Sequence, residues 1–400
     1  MLDFLQSMPS LRSRSKPVLV ENPGEAGRTL ESILHAAAAA GASDIHFEPK
    51  ESGLLVRFRL DGEMQDFHSI PLAHRDALLA RGKIFGGMDI TERRLPQDGR
   101  AVLTEGGRRF HLRLSTLPTV HGENLVVRLL DQSMPAQSFS DLGLTGPQAK
   151  AVNDALMGPA GLILLTGPTG SGKTTTLHAA LHALDYRGRV IHTLEDPVEY
   201  EFPAIRQTEI REKIGLTFAS SLRALLRQNL DVMLVGETRD GETAQLTIRG
   251  ALTGHLVLST LHTNDALSAI PRLRDLGVEP FLIAAALRLV AAQRLVRRLC
   301  PACKRPHPDH PRLAAQHRVT EGQFFEPVGC PACKGRGYRG RLALHEVVPA
   351  QPLLSLIAAN APFEELVAVR DREGHATLWT RGVEAAAAGQ TTLAEVARVL

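Results

Sequence analysis

The chain has 400 residues, enough for two or three domains at the usual size of roughly 100 to 200 residues each. Hydrophobic residues make up 44% and charged residues 22%, which excludes collagen-like, coiled-coil and wholly disordered chains. The 46 basic and 43 acidic side chains leave a net charge of +3, so the sequence predicts no overall electrostatic attraction to nucleic acid.

The N-terminal segment, residues 1–27, mixes Ser, Arg, Pro and Gly without periodicity and is interpreted as a mobile leader. No apolar core follows its first basic residues, as one would in an export signal. The longest apolar stretches, 281–287 and 161–165, are far shorter than the roughly 18 residues of a membrane-spanning helix. The sequence therefore predicts a cytoplasmic protein without a direct membrane span.

Residues 28–130 are predicted to form a small α+β domain whose strands carry many arginines. The run Leu54–Leu60 alternates apolar and polar side chains before an Asp-Gly turn, which is typical of a half-buried strand. The other predicted elements are helices over 29–40 and about 73–88, and strands over 101–104, 109–115 and 124–130. Residues 131–140 are rich in Ser, Gln and Pro and are predicted to be a linker.

Residues 141–298 alternate apolar strands with helical patterns, which predicts a parallel sheet covered by helices on both faces. The predicted strands are 162–166, 190–194, 231–235 and 256–259, and helices are predicted to begin at Lys173, Phe218, Glu242, Asp265 and Phe281.

A glycine-rich motif, GPTGSGKT at 167–174, follows the first of these strands and opens a helix. It fits GxxxxGK[ST], in which backbone N–H groups and the helix start bind phosphate oxygens. Lys173 would neutralise the β- and γ-phosphates of ATP, and the Thr174 hydroxyl would bind Mg²⁺. The predicted nucleotide-binding residues are Gly167, Pro168, Thr169, Gly170, Ser171, Gly172, Lys173, Thr174 and Thr175.

Acidic residues follow two further predicted strands, where carboxylates can reach Mg²⁺ or the attacking water. Glu195 opens the segment EDPVE after strand 190–194, and Glu237 follows strand 231–235. We expect Thr174 and water molecules to hold Mg²⁺, with Glu237 contacting the ion only indirectly. Glu195 would then be available to polarise the nucleophilic water.

Two histidines, His255 and His262, bracket the predicted strand 256–259. Polar groups there are expected near the γ-phosphate. We expect these histidines to sense that phosphate rather than to transfer protons, because neutral histidine neutralises charge poorly.

Two CPAC motifs contain all four cysteines of the chain, and each is followed by lysine. Four thiolates suit tetrahedral Zn²⁺ and leave no open coordination position, so the sequence predicts a structural zinc module over residues 299–340. Residues 341–400 are predicted to add a C-terminal strand and helices. The predicted zinc ligands are Cys300, Cys303, Cys330 and Cys333.

From about Ala42 onwards, ordered motifs identify a family resemblance. They are SDIHFEP, VRFRLDG, RLPQDGR, LRLSTLPTVHGE, GPTGSGKTTTL, HTLEDPVEY, EKIGLTFASSLRALLRQ, VGETRD, LTGHLVLSTLHTNDA and QRLVRRLC. With these motifs the chain resembles the type II secretion and type IV pilus assembly ATPases. The resemblance implies a RecA-like phosphate-loop ATPase core that hydrolyses ATP in a cytoplasmic homo-hexamer. Its work would drive pilin-like subunits from the inner membrane into a pilus or pseudopilus.

The resemblance also implies roles for particular residues. Gly167–Thr174 corresponds to the Walker A loop, Glu195–Glu199 to the Asp box, Glu237 to the Walker B acid, and His255 and His262 to the His box. The first domain would close over the nucleotide and supply arginines to its phosphates. Arg113 and Arg128 are predicted for this role, with Arg94 and Arg100 as further candidates.

The resemblance implies a short form of the family, peripheral to the inner membrane through platform proteins. Its 27-residue leader stands where larger members carry an additional docking domain. The sequence leaves the cargo open between secretion, pilus and DNA-uptake systems.

Two other functions are considered. One is a nucleic-acid-binding or DNA-uptake-related RecA-like ATPase that uses the zinc module and the arginine-rich strands. The near-neutral charge and an aromatic content of 4% disfavour nucleic acid as a partner. The other is a regulatory ATP-binding scaffold without turnover, which the two acidic strand ends disfavour.

Overall fold

The structure is a computed structural model that describes residues 23–132, 138–144, 146–184, 187–317, 319 and 323–400. The chain divides into two compact units, residues 1–135 and 136–400. Most of the predicted leader, and residues 133–137 of the predicted linker, lie outside the described residues.

The first unit is a six-stranded antiparallel sheet with two helices. Its strands lie in the order β3-β2-β1-β6-β5-β4. The elements are α1 (Pro23–Ala40), β1 (Asp44–Lys50), β2 (Gly53–Leu60), β3 (Glu63–Pro71), α2 (Leu72–Phe85), β4 (Gln97–Glu105), β5 (Arg108–Thr119) and β6 (Gly122–Asp131).

One face of this sheet forms the core with the two helices. Leu30 and Leu34 of α1 and Leu78 of α2 join one buried cluster with alternate strand residues such as Phe47 and Phe58. The opposite face is polar, as expected for an antiparallel sheet with one face in solvent. Helix α1 begins at Pro23, so residues 23–27 are helical and not part of the predicted leader.

The second unit contains a seven-stranded sheet in the order β15-β12-β7-β11-β10-β8-β9. Strands β7 to β12 run parallel, and β15 pairs antiparallel with β12. The strands are β7 (Gly161–Thr166), β8 (Ile191–Glu195), β9 (Arg206–Glu209), β10 (Val232–Val235), β11 (Leu256–Leu261), β12 (Leu287–Leu299) and β15 (Tyr338–Pro349).

Both faces of this sheet are buried, which confirms the predicted α/β arrangement. Successive residues of a strand point to opposite faces, and β7 shows this directly. Leu162 and Leu164 pack into one core cluster, whereas Ile163 and Leu165 pack into another. The central strand β10 (VMLV) is accordingly apolar along its whole length, and β7 (GLILLT) is nearly so.

Helices of the second unit contribute to these two buried clusters and to a smaller third one. They are α3 (Gly146–Met157), α4 (Lys173–Ala183), α5 (Phe218–Leu225), α6 (Gly241–Leu252), α7 (Ala269–Asp275), α8 (Pro280–Ala286), α9 (His310–Gln316), α10 (Leu354–Ala358), α11 (Phe363–Arg372), α12 (Leu378–Ala387) and α13 (Leu393–Val399). Two short strands, β13 (Arg305–Pro306) and β14 (Phe325–Glu326), pair beside the cysteines. Among the helices described, none combines the length and apolar character of a membrane span.

Two element predictions differ from the structure. The helix predicted from Asp265 begins at Ala269, and the helix predicted from Phe281 ends at Ala286. The chain then forms the long strand β12 beside β7, and this strand was missed.

Candidate nucleotide-binding and catalytic site

The predicted phosphate loop connects the end of β7 to the start of α4. Gly172 precedes the helix at φ 86°, a left-handed conformation that favours glycine. A Cβ at Gly172 would lie 2.8 Å from Nε2 of Gln293, so space as well as backbone angle requires glycine here. Thr174 and Thr175 lie half-buried in the first turn of α4.

The Lys173 side chain lies within this loop. Its ammonium donates hydrogen bonds to the carbonyl oxygens of Gly167 and Pro168, at 2.7 and 3.0 Å. Burial lowers the pKa of Lys173 to about 8, against the opposing charge of Glu237. Burial disfavours the charged form of this amine, and the negative charge of a triphosphate in the loop would favour it again.

Strand β12 supports the loop from the side. Gln293 is 1% exposed; its Nε2 donates to the Ser171 carbonyl at 2.8 Å, and its Oε1 accepts from Thr176 Oγ1 at 2.8 Å. Arg294 is also buried and donates to the carbonyl of Asn264 at 2.8 Å. These side chains connect the phosphate loop to the neighbouring strand, and sequence reasoning missed them.

Glu237 lies beside Lys173 at the same edge of the sheet. It forms an ion pair with Arg239, and its Oε2 lies 3.4 Å from Nε2 of His262. Burial lowers the pKa of His262, and the nearby Lys173 lowers it further. His262 is therefore neutral at pH 7 and can donate a hydrogen bond to the carboxylate. The structure brings these three predicted residues, Lys173, Glu237 and His262, together.

Glu195 ends β8, the strand next to β10. Its carboxylate is buried and accepts hydrogen bonds from Thr193 Oγ1 at 2.5 Å and Gln207 Nε2 at 3.0 Å. His178 Nε2 lies 3.3 Å from its other oxygen. Burial raises the pKa of Glu195, but the hydrogen bonds from His178, Thr193 and Gln207 outweigh it and hold the pKa below its usual value.

His255 does not join this site, which corrects the prediction. It precedes β11, whose first residue pairs with Gly161 at the start of β7. His255 therefore lies at the amino edge of the parallel sheet, whereas the phosphate loop follows the carboxyl edge. Its Nδ1 lies 2.9 Å from the Gly250 carbonyl, an arrangement that fixes the turn after α6.

The predicted arginines lie in one row across the first sheet. Strand register places Arg59 opposite Asp44, Asp44 opposite Arg128, Arg128 opposite Arg113, and Arg113 opposite Arg100. Directly opposite residues share a face, so the polar face of the first unit carries a row with an excess of positive charge.

Acidic side chains pair with Arg128 and with Arg94. Arg128 Nε donates to Asp44 at 2.9 Å, and half of its side chain remains exposed. Arg94 lies outside the row and pairs with Glu92 at 2.9 Å.

The four cysteine sulfurs form one cluster in which every pair lies within 4.8 Å. Sγ distances of 3.8 Å separate Cys300 from Cys330, Cys303 from Cys333, and Cys330 from Cys333. These distances are too long for disulfide bonds, so all four cysteines are free of disulfide bonds. The predicted cysteines are thus brought together.

Comparison with known proteins agrees with the motifs. The chain is 45% identical over 373 residues to type II secretion system protein E of Klebsiella pneumoniae, covering 93% of this chain and 75% of that protein. It is 45% identical over 372 residues to the type IV pilus assembly ATPase PilB of Myxococcus xanthus, covering 91% and 66%. A crystal structure of the pilus retraction motor PilT with bound ADP aligns with a TM-score of 0.63 at 26% identity, covering 92% and 96%.

These likenesses confirm the predicted resemblance to secretion and pilus assembly ATPases and the prediction of an ATPase of that class. The family described as type II/IV secretion system protein matches residues 21–398, nearly the whole chain. The chain belongs to the type II/IV secretion system protein family.

Proposed function

We propose that this chain is a hexameric ATPase motor that drives pilin or pseudopilin assembly for type II secretion or type IV pilus extension. The observation that carries the proposal is the juxtaposition of Lys173, Glu237 and His262 at the phosphate loop. We further propose that the motor works in the cytoplasm and reaches the inner membrane through platform proteins.

In the proposed reaction, water attacks the γ-phosphorus of ATP while the bond to the β–γ bridging oxygen breaks and ADP leaves. Glu195 accepts the proton that the water loses, since its pKa is held low enough for an ionised base at neutral pH. Lys173 offsets charge on the β- and γ-phosphates. His262 senses the γ-phosphate and transmits its presence to Glu237, whose Oε2 lies 3.4 Å from Nε2 of His262.

The residues at the loop also fit Mg²⁺. The Thr174 hydroxyl would hold the ion, and Glu237 would act on it through water. When bound, Mg²⁺ would neutralise negative charge on the phosphates. Arg113 and Arg128 are proposed as further cations for phosphate oxygens, because the row that contains them carries excess positive charge.

The cysteine cluster fits zinc closely. Tetrahedral Zn²⁺ with Zn–S bonds of about 2.3 Å requires sulfur–sulfur distances of about 3.8 Å. Three Sγ pairs in the cluster have this separation. Backbone N–H groups of Cys330 and Gly337 also point to Sγ of Cys333, at 3.2 and 3.1 Å, as suits a thiolate. We propose one structural zinc ion per chain.

Elemental analysis is expected to find one zinc per chain in protein purified without chelator. Cys330→Ser should reduce the zinc content to near zero and lower the melting temperature by about 5 °C or more, because the metal organises this segment. His307→Ala is the control: it lies close in sequence but outside the cysteine cluster, and should keep its zinc. Zinc-free wild-type protein would contradict the proposal.

The arginine row would also suit nucleic-acid phosphates, so a DNA-dependent ATPase is the second candidate. Phosphate release by the purified full chain distinguishes the two. The motor proposal predicts turnover that is independent of added DNA and a hexameric mass in the presence of ATP. DNA-stimulated turnover together with a salt-sensitive gel shift would favour the second candidate.

A further inference from the structure

The carboxylate of Glu195 is held asymmetrically. Its Oε1 accepts two hydrogen bonds, from Thr193 and from Gln207. Among the described residues, its Oε2 has one hydrogen-bond partner, Nε2 of His178 at 3.3 Å. A base must offer a lone pair to the attacking water, and Oε2 is the oxygen with capacity to spare. The orientation of His178 therefore decides where that lone pair points.

Packing fixes the His178 ring. The side chain is 6% exposed and lies edge-on to Tyr200 and Phe202, at centroid distances of 5.4 and 5.0 Å. Among the described residues, its Nδ1 has no hydrogen-bond partner. The Nε2 atom is thus the point at which this ring makes a polar contact, and the aromatic neighbours keep it aimed at Glu195.

Helix α4 connects this contact to the phosphate loop. His178 lies five residues after Lys173, about 7.5 Å along the helix axis at 1.5 Å per residue. The same rigid helix therefore holds the phosphate-binding lysine at its start and the partner of Glu195 further along.

We propose that His178 is a positioning residue for ATP hydrolysis, which donates from Nε2–H to Oε2 of Glu195 and aims the remaining lone pair at the attacking water. The proposal rests on the proposed role of Glu195 as the base. In this arrangement His178 does not touch the nucleotide; it acts through the carboxylate.

The same hydrogen bond stabilises the ionised carboxylate. Burial raises the pKa of Glu195, and the bond from His178 is the largest of the interactions that lower it. Tyr200 packs on the His178 ring, Glu209 lies opposite Glu195 on β9, and Asp196 follows Glu195 in the chain. Further titratable or charged groups on these elements are Lys173 and His182 on α4, His192 on β8 and Arg206 on β9. Without the His178 donor, only Thr193 and Gln207 would oppose the effect of burial, so the pKa of Glu195 should rise.

The test compares His178→Phe, which keeps the ring packing without a donor, with His178→Gln, which keeps a donor. We expect His178→Phe to lower kcat about tenfold with KM for ATP nearly unchanged. The acid limb of its kcat profile should move up by about one pH unit, because Glu195 loses a donor that keeps it ionised. His178→Gln should restore most of both properties.

His182→Phe is the matched control, since this histidine lies one turn further along α4 and packs on Phe202 at 4.9 Å. It should leave kcat and the pH profile unchanged. Melting temperatures show whether each variant is folded, and His178→Met, another apolar replacement, gives the same comparison if the phenylalanine variant is unstable.

The Glu195→Gln variant distinguishes a failure of the positioning role of His178 from a failure of the proposed role of Glu195 as the base. If Glu195→Gln is inactive while His178→Phe keeps wild-type kcat and acid limb, or His178→Gln is as impaired as His178→Phe, the positioning role is overturned. If Glu195→Gln itself turns over ATP normally, the proposed base is wrong and the role of His178 falls with it.

Discussion

Replacing Lys173 with alanine is expected to reduce ATP hydrolysis by roughly a hundredfold to a thousandfold or more, to the limit of detection. The ammonium lies inside the phosphate loop, on the carbonyls of Gly167 and Pro168, where phosphate oxygens would attract it. Alanine leaves the loop backbone in place but removes the charge that stabilises the transferred phosphate. Phosphate release at saturating Mg-ATP measures the effect.

The fold should survive this substitution. Burial lowers the pKa of Lys173 to about 8. Below that pH the charged amine is therefore less stable in the folded chain than in the unfolded chain, where water solvates it. Its loss should therefore leave the free energy of unfolding unchanged or slightly higher at pH 7. Lys150→Ala is the control: that lysine is exposed, pairs with Asp154 at 2.5 Å, and should keep full turnover. A folded Lys173→Ala protein with turnover within tenfold of wild type would contradict the assignment.

Neutralising the two acidic strand ends is expected to stop turnover while ATP still binds. Glu195→Gln and Glu237→Gln each preserve side-chain shape and remove one charge, and we expect kcat to fall by about 10² to 10³. Glu195→Gln should leave KM for ATP nearly unchanged, because the phosphate loop and Lys173 remain. Glu237→Gln should also change ATP affinity, since Glu237 is the acid that offsets the charge of Lys173.

Kinetics and binding of a fluorescent ATP analogue distinguish these effects. Glu201→Gln serves as the control, because that glutamate is exposed and lies six residues after Glu195. Normal turnover in Glu195→Gln with loss in Glu237→Gln would move the base to Glu237.

The phosphate loop could be predicted from sequence because the residues of its motif determine the local conformation by themselves. Glycines permit the turn, and the lysine and threonine start the helix that follows. Glu195 and Glu237 could be predicted because each follows a short apolar run, and parallel strands collect their carboxyl ends at one edge. The same argument should have excluded His255, which precedes its strand.

Strand β12 could not be predicted from its pattern. Leu289, Ala292, Val296 and Leu299 recur at helical spacing, although the segment is a strand with both faces largely buried. A strand buried on both faces loses the alternation that would reveal it. The supporting residues Gln293 and Arg294 were missed with it, because their roles depend on the pairing of β12 with β7.

The arginine row and the contact of His178 depend on tertiary structure in different ways. Individual arginines were visible in the strands, but their alignment follows from the register of five antiparallel strands. His178 was visible in the sequence as one of two histidines in the predicted helix that follows the phosphate loop. Its proposed role could not be predicted from sequence, because it depends on the position of β8, which brings Glu195 next to that helix.

The most direct test is a crystal structure of the full chain with Mg²⁺ and a non-hydrolysable ATP analogue. The account predicts phosphate oxygens on the backbone N–H groups of the glycine-rich loop, with Lys173 moved from the loop carbonyls onto the β- and γ-phosphates. The carboxylates of Glu195 and Glu237 should face the γ-phosphate within reach of one water molecule. An analogue bound away from the loop, or carboxylates directed away from its terminal phosphate, would contradict the account.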